Sequence, residues 1–257
     1  MNKKPYIVAG ITVIFIILYL YFLIISLIFL DRTVTLKILS IILILINVFF
    51  IMHSLEYMHY YVSASSKYEK SVTYYFSTYY PFNTSVFIAC YNESADVLEE
   101  TIIKIKQMCR VGNGIPYVLD DSTDKEKAEA VRELCGKYGI IYMHRENRRG
   151  YKAGALNDAL KIVDTKYFAV FDADQHPLPE FLTETLPVID DNNSIALVQV
   201  PQKYENNNTN VAKGANDIQE VFYNFITEGK SLEDSMFSCG SNVIYRTDAV
   251  RSVGGFD

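Results

Sequence analysis

Residues Tyr167–Pro177 read YFAVFDADQHP: an apolar, aromatic-rich run, then two aspartates one residue apart, then a proline three positions on. A short run of this kind bounded by polar residues reads as a strand buried on both faces. Side chains at i and i+2 of an extended segment point the same way, so Asp172 and Asp174 leave the strand end on one side, available to one ligand.

Working outward, short apolar runs alternate with longer amphipathic ones. SVFIAC (85–90) reads as a strand and ADVLEETIIKIKQMC (95–109) as a helix with Val97, Ile102, Ile105 and Met108 inward. PYVL (116–119) is a strand and DKEKAEAVRELCGKY (124–138) a helix turning Ala130, Val131 and Leu134 inward; IIYMH (140–144) is a third strand. A helix over AGALNDALKIV (153–163), the strand YFAVF, a helix from Pro179 to about Val188 and the strand IALVQV (195–200) complete the series. Alternation of this kind predicts an α/β fold with a mostly parallel sheet covered by helices on both faces. Ligands bind such sheets outside the carboxyl ends of the strands.

The strand ends carry Tyr91-Asn92-Glu93, Asp120-Asp121-Ser122, His144 to Arg149, and Asp172-Ala173-Asp174. One rim thus combines carboxylate pairs with a cationic loop holding Arg145, Arg148, Arg149 and Lys152. Two carboxylates are hard oxygen donors suited to Mg2+ or Mn2+, ions that keep waters and complete their shell with substrate phosphates. A local basic cluster in an acidic chain suits an anionic ligand, and a nucleotide diphosphate meets both demands. Read alone, DAD is as readily a turn whose aspartates cap the next helix, and the basic loop a solvated one.

The N-terminus has another character. No charged residue occurs from Ile7 to Leu30, which exceeds the roughly 20 residues a membrane-spanning helix needs. A second apolar run, Ile38–Met52, reaches span length when Val34–His53 is included. The first run is too long for a signal-peptide core and has no small-residue cleavage site. The pair predicts a transmembrane hairpin over 1–55, followed by a tyrosine-rich segment over 56–83 along the membrane face or against the domain, then the α/β domain over 84–257. Lys3 and Lys4 before the hairpin, with Lys67 and Lys70 after it, place both ends and the domain in the cytoplasm, a multi-pass cell-membrane protein. Lys37 lies on the far side, with Asp31 and Arg32 in the short connection before it.

The net charge of −6 argues against a nucleic-acid partner. Four cysteines without a CxxC pair point to reduced thiols, and four histidines without HExxH spacing offer no zinc site.

The series FIACYNE, VLDDS, ENRRGYKAGALN, VFDADQHP, QVPQKY and FSCGSNVIYRTDAVRSVGGFD strongly resembles the processive family 2 glycosyltransferases, the cellulose, hyaluronan and chitin synthase group, over about residues 84–257. The resemblance implies a GT-A (Rossmann-like) nucleotide-sugar domain behind the hairpin. Tyr91, Glu93 and Asp121 would then hold the uridine of a UDP-sugar. Lys152 would reach the diphosphate, Asp172 the ribose and diphosphate, and Asp174 the divalent metal. Cys239, Gly240 and Ser241 would line the acceptor end near the donor sugar; the implied partners are a glycan or lipid-linked acceptor and the lipid bilayer that holds the hairpin. The implied reaction is inverting transfer from the UDP-sugar to a hydroxyl.

The family's general base, in a TED-like motif shortly after GGFD, and its QxxRW motif have no counterpart up to Asp257. The expectation is therefore the donor-binding front of a larger enzyme, a fragment or a truncated product. Two further readings stay open: a membrane-tethered UDP-sugar-binding module without transfer activity, and a transferase that loads a polyprenyl phosphate carrier.

Overall fold

In the computed structural model, residues 4–29, 33–67 and 83–257 are described. They divide into two compact units, one of the N-terminal helices with Pro201–Phe237, the other of the remaining chain to Asp257.

The second unit is built on six strands: β1 (Thr84–Cys90), β2 (Gly114–Asp120), β3 (Ile141–His144), β4 (Tyr167–Asp172), β5 (Leu197–Gln199) and β6 (Val243–Arg246). Their order is β3-β2-β1-β4-β6-β5, with β1 to β4 mutually parallel and β6 antiparallel to both β4 and β5. The central strands β1 and β4 are buried along almost their whole length because both faces are covered, whereas edge strand β3 is largely open. Tyr167, Ala169 and Phe171 of β4 enter one core with Val86 and Ile88; Phe168 and Val170 enter the other with Phe87.

The first core lies beneath α3 (Ala95–Gly112), α4 (Lys125–Tyr138) and α6 (Phe181–Asp191); the second holds α5 (Tyr151–Leu160) and Val250 of α9 (Thr247–Ser252). Helix α3 buries Leu98, Ile102, Ile105 and Met108, whereas Val97 is 39% exposed. Leu98 therefore replaces the expected Val97, since 98, 102, 105 and 109 share one stripe and 97 lies about 100° away from it. Helix α4 likewise turns Cys135 inward with Val131 and Leu134, and Ala130 only partly. Parallel order demands long crossovers between strands, and these helices supply them. Strand β6, which apolar periodicity did not single out, enters between β4 and β5.

The first unit contains α1 (Lys4–Phe29) and α2 (Val34–Lys67), both long and apolar enough to cross a membrane. The Tyr19 hydroxyl donates to Asn47 Oδ1 across the pair at 2.8 Å; polar contacts of this kind join helices in an apolar surrounding. Helix α2 continues through Glu56–Lys67, the first part of the stretch expected as an interfacial linker, because nothing in MHYYVSASSK breaks a helix. The rest of that stretch, 68–82, and the hairpin connection at 30–32 lie outside the described residues.

Helix α7 (Asn210–Val221) passes through a π-helical turn, Phe222–Thr227, into α8 (Glu228–Ser231). This segment docks on the end of α2 through Gly229, where a β-carbon would come within 2.7 Å of the Tyr60 backbone. Glycine permits the backbones to meet, and polar contacts then fasten them. His59 lies 2.5 Å from Glu233, Lys230 reaches the Tyr60 hydroxyl at 3.1 Å and Glu56 at 3.4 Å, and Tyr61 packs on Phe225.

Candidate functional site

The parallel register sets the strand ends level: Cys90 opposite Asp120, Ala89 opposite Asp172, and Asp120 opposite His144. The residues expected at a ligand site from four different strands thus share one rim.

The middle of the rim is locked internally. Asp120 is fully buried, accepts from the Ser122 amide at 2.9 Å and the Tyr142 hydroxyl at 2.8 Å, and lies 3.3 Å from His144 Nδ1. Asp121, 5% exposed, is gripped by Arg145, whose Nε and Nη2 donate to its two oxygens at 2.8 and 2.5 Å. The paired carboxylate holds the Arg145 guanidinium even more firmly protonated than usual. Arg145 also donates to the carbonyls of Arg149 and Tyr151, at 3.1 and 2.9 Å, and to Asp158 at 3.3 Å. The expected cationic loop is accordingly divided: Arg145 is an internal brace, not a free ligand cation. Gly154 makes the brace possible, since a β-carbon there would lie 2.0 Å from the Arg149 carbonyl.

Asn92 joins β1's loop to β2's. It sits at φ 54°, a conformation asparagine tolerates better than most residues. Its side-chain oxygen accepts from the Thr123 and Asp124 amides at 3.0 and 3.1 Å, and its own amide donates to Ser122 Oγ at 2.8 Å. On either side of it Tyr91 and Glu93 remain exposed.

At the β4 end, Lys152 in the first turn of α5 forms an ion pair with Asp172. Asp174 is exposed while Ala173 between them is buried, its carbonyl accepting from Thr101 Oγ1 at 2.7 Å. The extended i, i+2 geometry expected of the two aspartates does not run through Asp174: β4 ends at Asp172, and Ala173 and Asp174 lie in a turn closed by the Gln175 amide donating to the Asp172 carbonyl at 3.3 Å. Among the described residues no group of three His, Cys, Asp or Glu side chains could hold a metal by itself. Two carboxylates on an open rim beside a lysine do fit a Mg2+ or Mn2+ that draws its other ligands from water and phosphate.

The Cys239–Asn242 loop is held by two glutamines that the sequence reading passed over. Gln175 accepts from the Asp172 amide at 3.1 Å and donates to Ser241 Oγ at 2.9 Å, tying this loop to the aspartate turn. Gln199, at the end of β5, accepts from the Cys239 amide at 2.8 Å and donates to the Ser241 and Asn242 carbonyls at 2.9 and 3.1 Å. Gly240, at φ 88°, makes the turn between them. Both stand inside quoted motifs, Gln175 in VFDADQHP and Gln199 in QVPQKY, yet nothing local in the sequence assigned either a role.

Cys90, Cys109 and Cys135 are buried, which pushes each thiol up to about 12, whereas Cys239 is half-buried. Since the thiolate is the reactive form, iodoacetamide at pH 8 is expected to alkylate Cys239 first in the native chain. Peptide mass spectrometry would read this, and equal labelling of the other three would contradict their burial.

Residues 85–254 match the family described as glycosyl transferase family 2. The chain belongs to that family. Within glycosyltransferase family 2, it is 32% identical over 176 residues to the cellulose synthase catalytic subunit of Pseudomonas fluorescens, covering 66% of this chain and 23% of that protein. It is 36% identical over 153 residues to glucomannan 4-beta-mannosyltransferase 1 of Oryza sativa subsp. japonica, covering 55% of this chain and 29% of that protein. The chain thus spans less than a third of either relative's length, and both matches bear out the likeness to the cellulose synthase group. Among solved structures, a mannosyltransferase from Pyrobaculum calidifontis in complex with GDP-Man and Mn2+ aligns with a TM-score of 0.61 at 20% identity, over 80% of this chain and 56% of that one. Identity that low speaks for the GT-A fold alone.

Proposed function

We propose that the chain is the donor-binding part of a membrane-anchored, inverting glycosyltransferase that uses a UDP-sugar and a divalent metal to extend a β-linked polysaccharide or glycoconjugate. The observation that carries this reading is the level rim, on which Lys152, Asp172 and Asp174 stand at one strand end in register with the loops of Tyr91 and Asp121.

Tyr91, Glu93 and Asp121 take the uridine end, Tyr91 with its ring, on which Arg148 stacks, and Asp121 by shaping the floor through Arg145. Lys152 exchanges part of its pairing with Asp172 for the diphosphate, and Asp172 turns to the ribose and diphosphate. Asp174 holds the Mg2+ or Mn2+, which, when bound, would act as a Lewis acid on the departing UDP, whose charge grows in the transition state. The Cys239, Gly240 and Ser241 loop lines the acceptor end. Removal of the proton from the attacking hydroxyl is assigned to none of these residues. The apolar α1–α2 pair anchors the chain in the cell membrane, with the glycosyltransferase unit on the cytoplasmic side where the flanking lysines lie.

Isothermal titration of UDP into the detergent-solubilised chain tests the reading. Binding in Mn2+ that is lost in EDTA supports it, and absence of binding in both conditions overturns it.

A further inference from the structure

The ring of Tyr91 is the flat aromatic surface of the rim, 41% exposed. It is not bare: the Arg148 guanidinium carbon lies 3.4 Å from its centroid and 5.2 Å from that of Tyr151. Arg148 is delivered by a tight turn in which the Tyr151 amide donates to the Arg148 carbonyl at 2.8 Å, with Gly150 and Tyr151 both at positive φ, 74° and 48°. In this position Arg148 Nε is buried and makes no hydrogen bond. Stacking of a cation on the ring holds the side chain down, and the unsatisfied buried donor offsets part of that hold. A contact so weakened can be exchanged for another planar group at a modest cost.

We propose that Arg148 is a stacking lid on Tyr91, displaced when the planar base of a nucleoside diphosphate takes its place. On leaving the ring, Nε regains a partner in water or in a phosphate oxygen. The lid rests on the reading of this rim as a nucleotide-sugar site. It adds a cost to base binding that depends on Arg148, so that donor affinity is set partly by a residue that competes with the base.

The test uses the full chain in detergent with Mn2+, titrated with UDP and, separately, with inorganic pyrophosphate, which has no base. Arg148→Lys keeps the charge and gives up the planar stack. UDP affinity is expected to rise about two- to fivefold, the reciprocal of a surface cation–π contact, with pyrophosphate affinity unchanged. Adding Tyr91→Leu should abolish the gain. Unchanged or weaker UDP binding by Arg148→Lys, or an equal gain for pyrophosphate, overturns the lid while leaving the donor site standing. Wild-type chain that binds neither ligand overturns the donor site and the lid together. Arg148→Ala answers the same UDP-to-pyrophosphate comparison if the lysine variant fails to fold.

Discussion

Asp174→Asn is expected to reduce Mn2+-dependent UDP affinity on the order of 100-fold or more, since loss of even an outer-shell partner at a metal site costs about 10–100-fold. The substitution keeps the size of the side chain and removes its charge. Asp174 is exposed, and its buried neighbour Ala173 carries the local packing, so the melting temperature should stay within about 1 °C of the parent, as for surface changes generally. Asp172→Asn is a less clean probe because it also breaks the ion pair with Lys152. Calorimetry with Mn2+ and with EDTA separates the outcomes. A variant that binds UDP as the parent does would remove Asp174 from the metal site and move attention to Asp172.

Arg145→Leu is expected to be the most destabilising single change at the rim. It leaves Asp121, 5% exposed, as an unpaired buried carboxylate, and breaking one side of a buried ion pair costs about 3–5 kcal/mol. It also strips the donor shared by the carbonyls of Arg149 and Tyr151, so the loop before α5 loses its anchor. For a chain of this size the change corresponds to a fall in melting temperature of roughly 6–20 °C, measured by intrinsic fluorescence of the full chain. Asp121→Asn in the same background should recover part of the loss by removing the orphaned charge. An unchanged melting temperature would mean that the pair is solvated.

The strand ends were legible because an apolar run that stops at a cluster of carboxylates or cations is a local signal, and parallel pairing then levels the ends. The assignment of each charge was not legible. Nothing near Arg145 in sequence says that its partner is Asp121, just past the end of the adjoining strand; only the β2–β3 register brings them together. Gln175 and Gln199 escaped for the same reason, their partners lying at Ser241 and Cys239. Strand β6 is four residues long and runs antiparallel, so alternation of strands and helices could not foretell its entry between β4 and β5. The error at Val97 was of another kind. One residue of phase on a helix decides burial, and Val97 and Leu98 are adjacent apolar residues about 100° apart around it.

The hydrogen bond from the Val200 amide to the Asn242 carbonyl, 3.0 Å long, closes the neck of the whole excursion from Pro201 to Ser241. Beyond that neck the sheet is indifferent to how much chain intervenes, because the entropy of closing a loop grows only as the logarithm of its length. The excursion is therefore an exchangeable cassette. A change in the length of α7 or α8 is expected to leave β5, β6 and the aspartate turn in their places in the sheet.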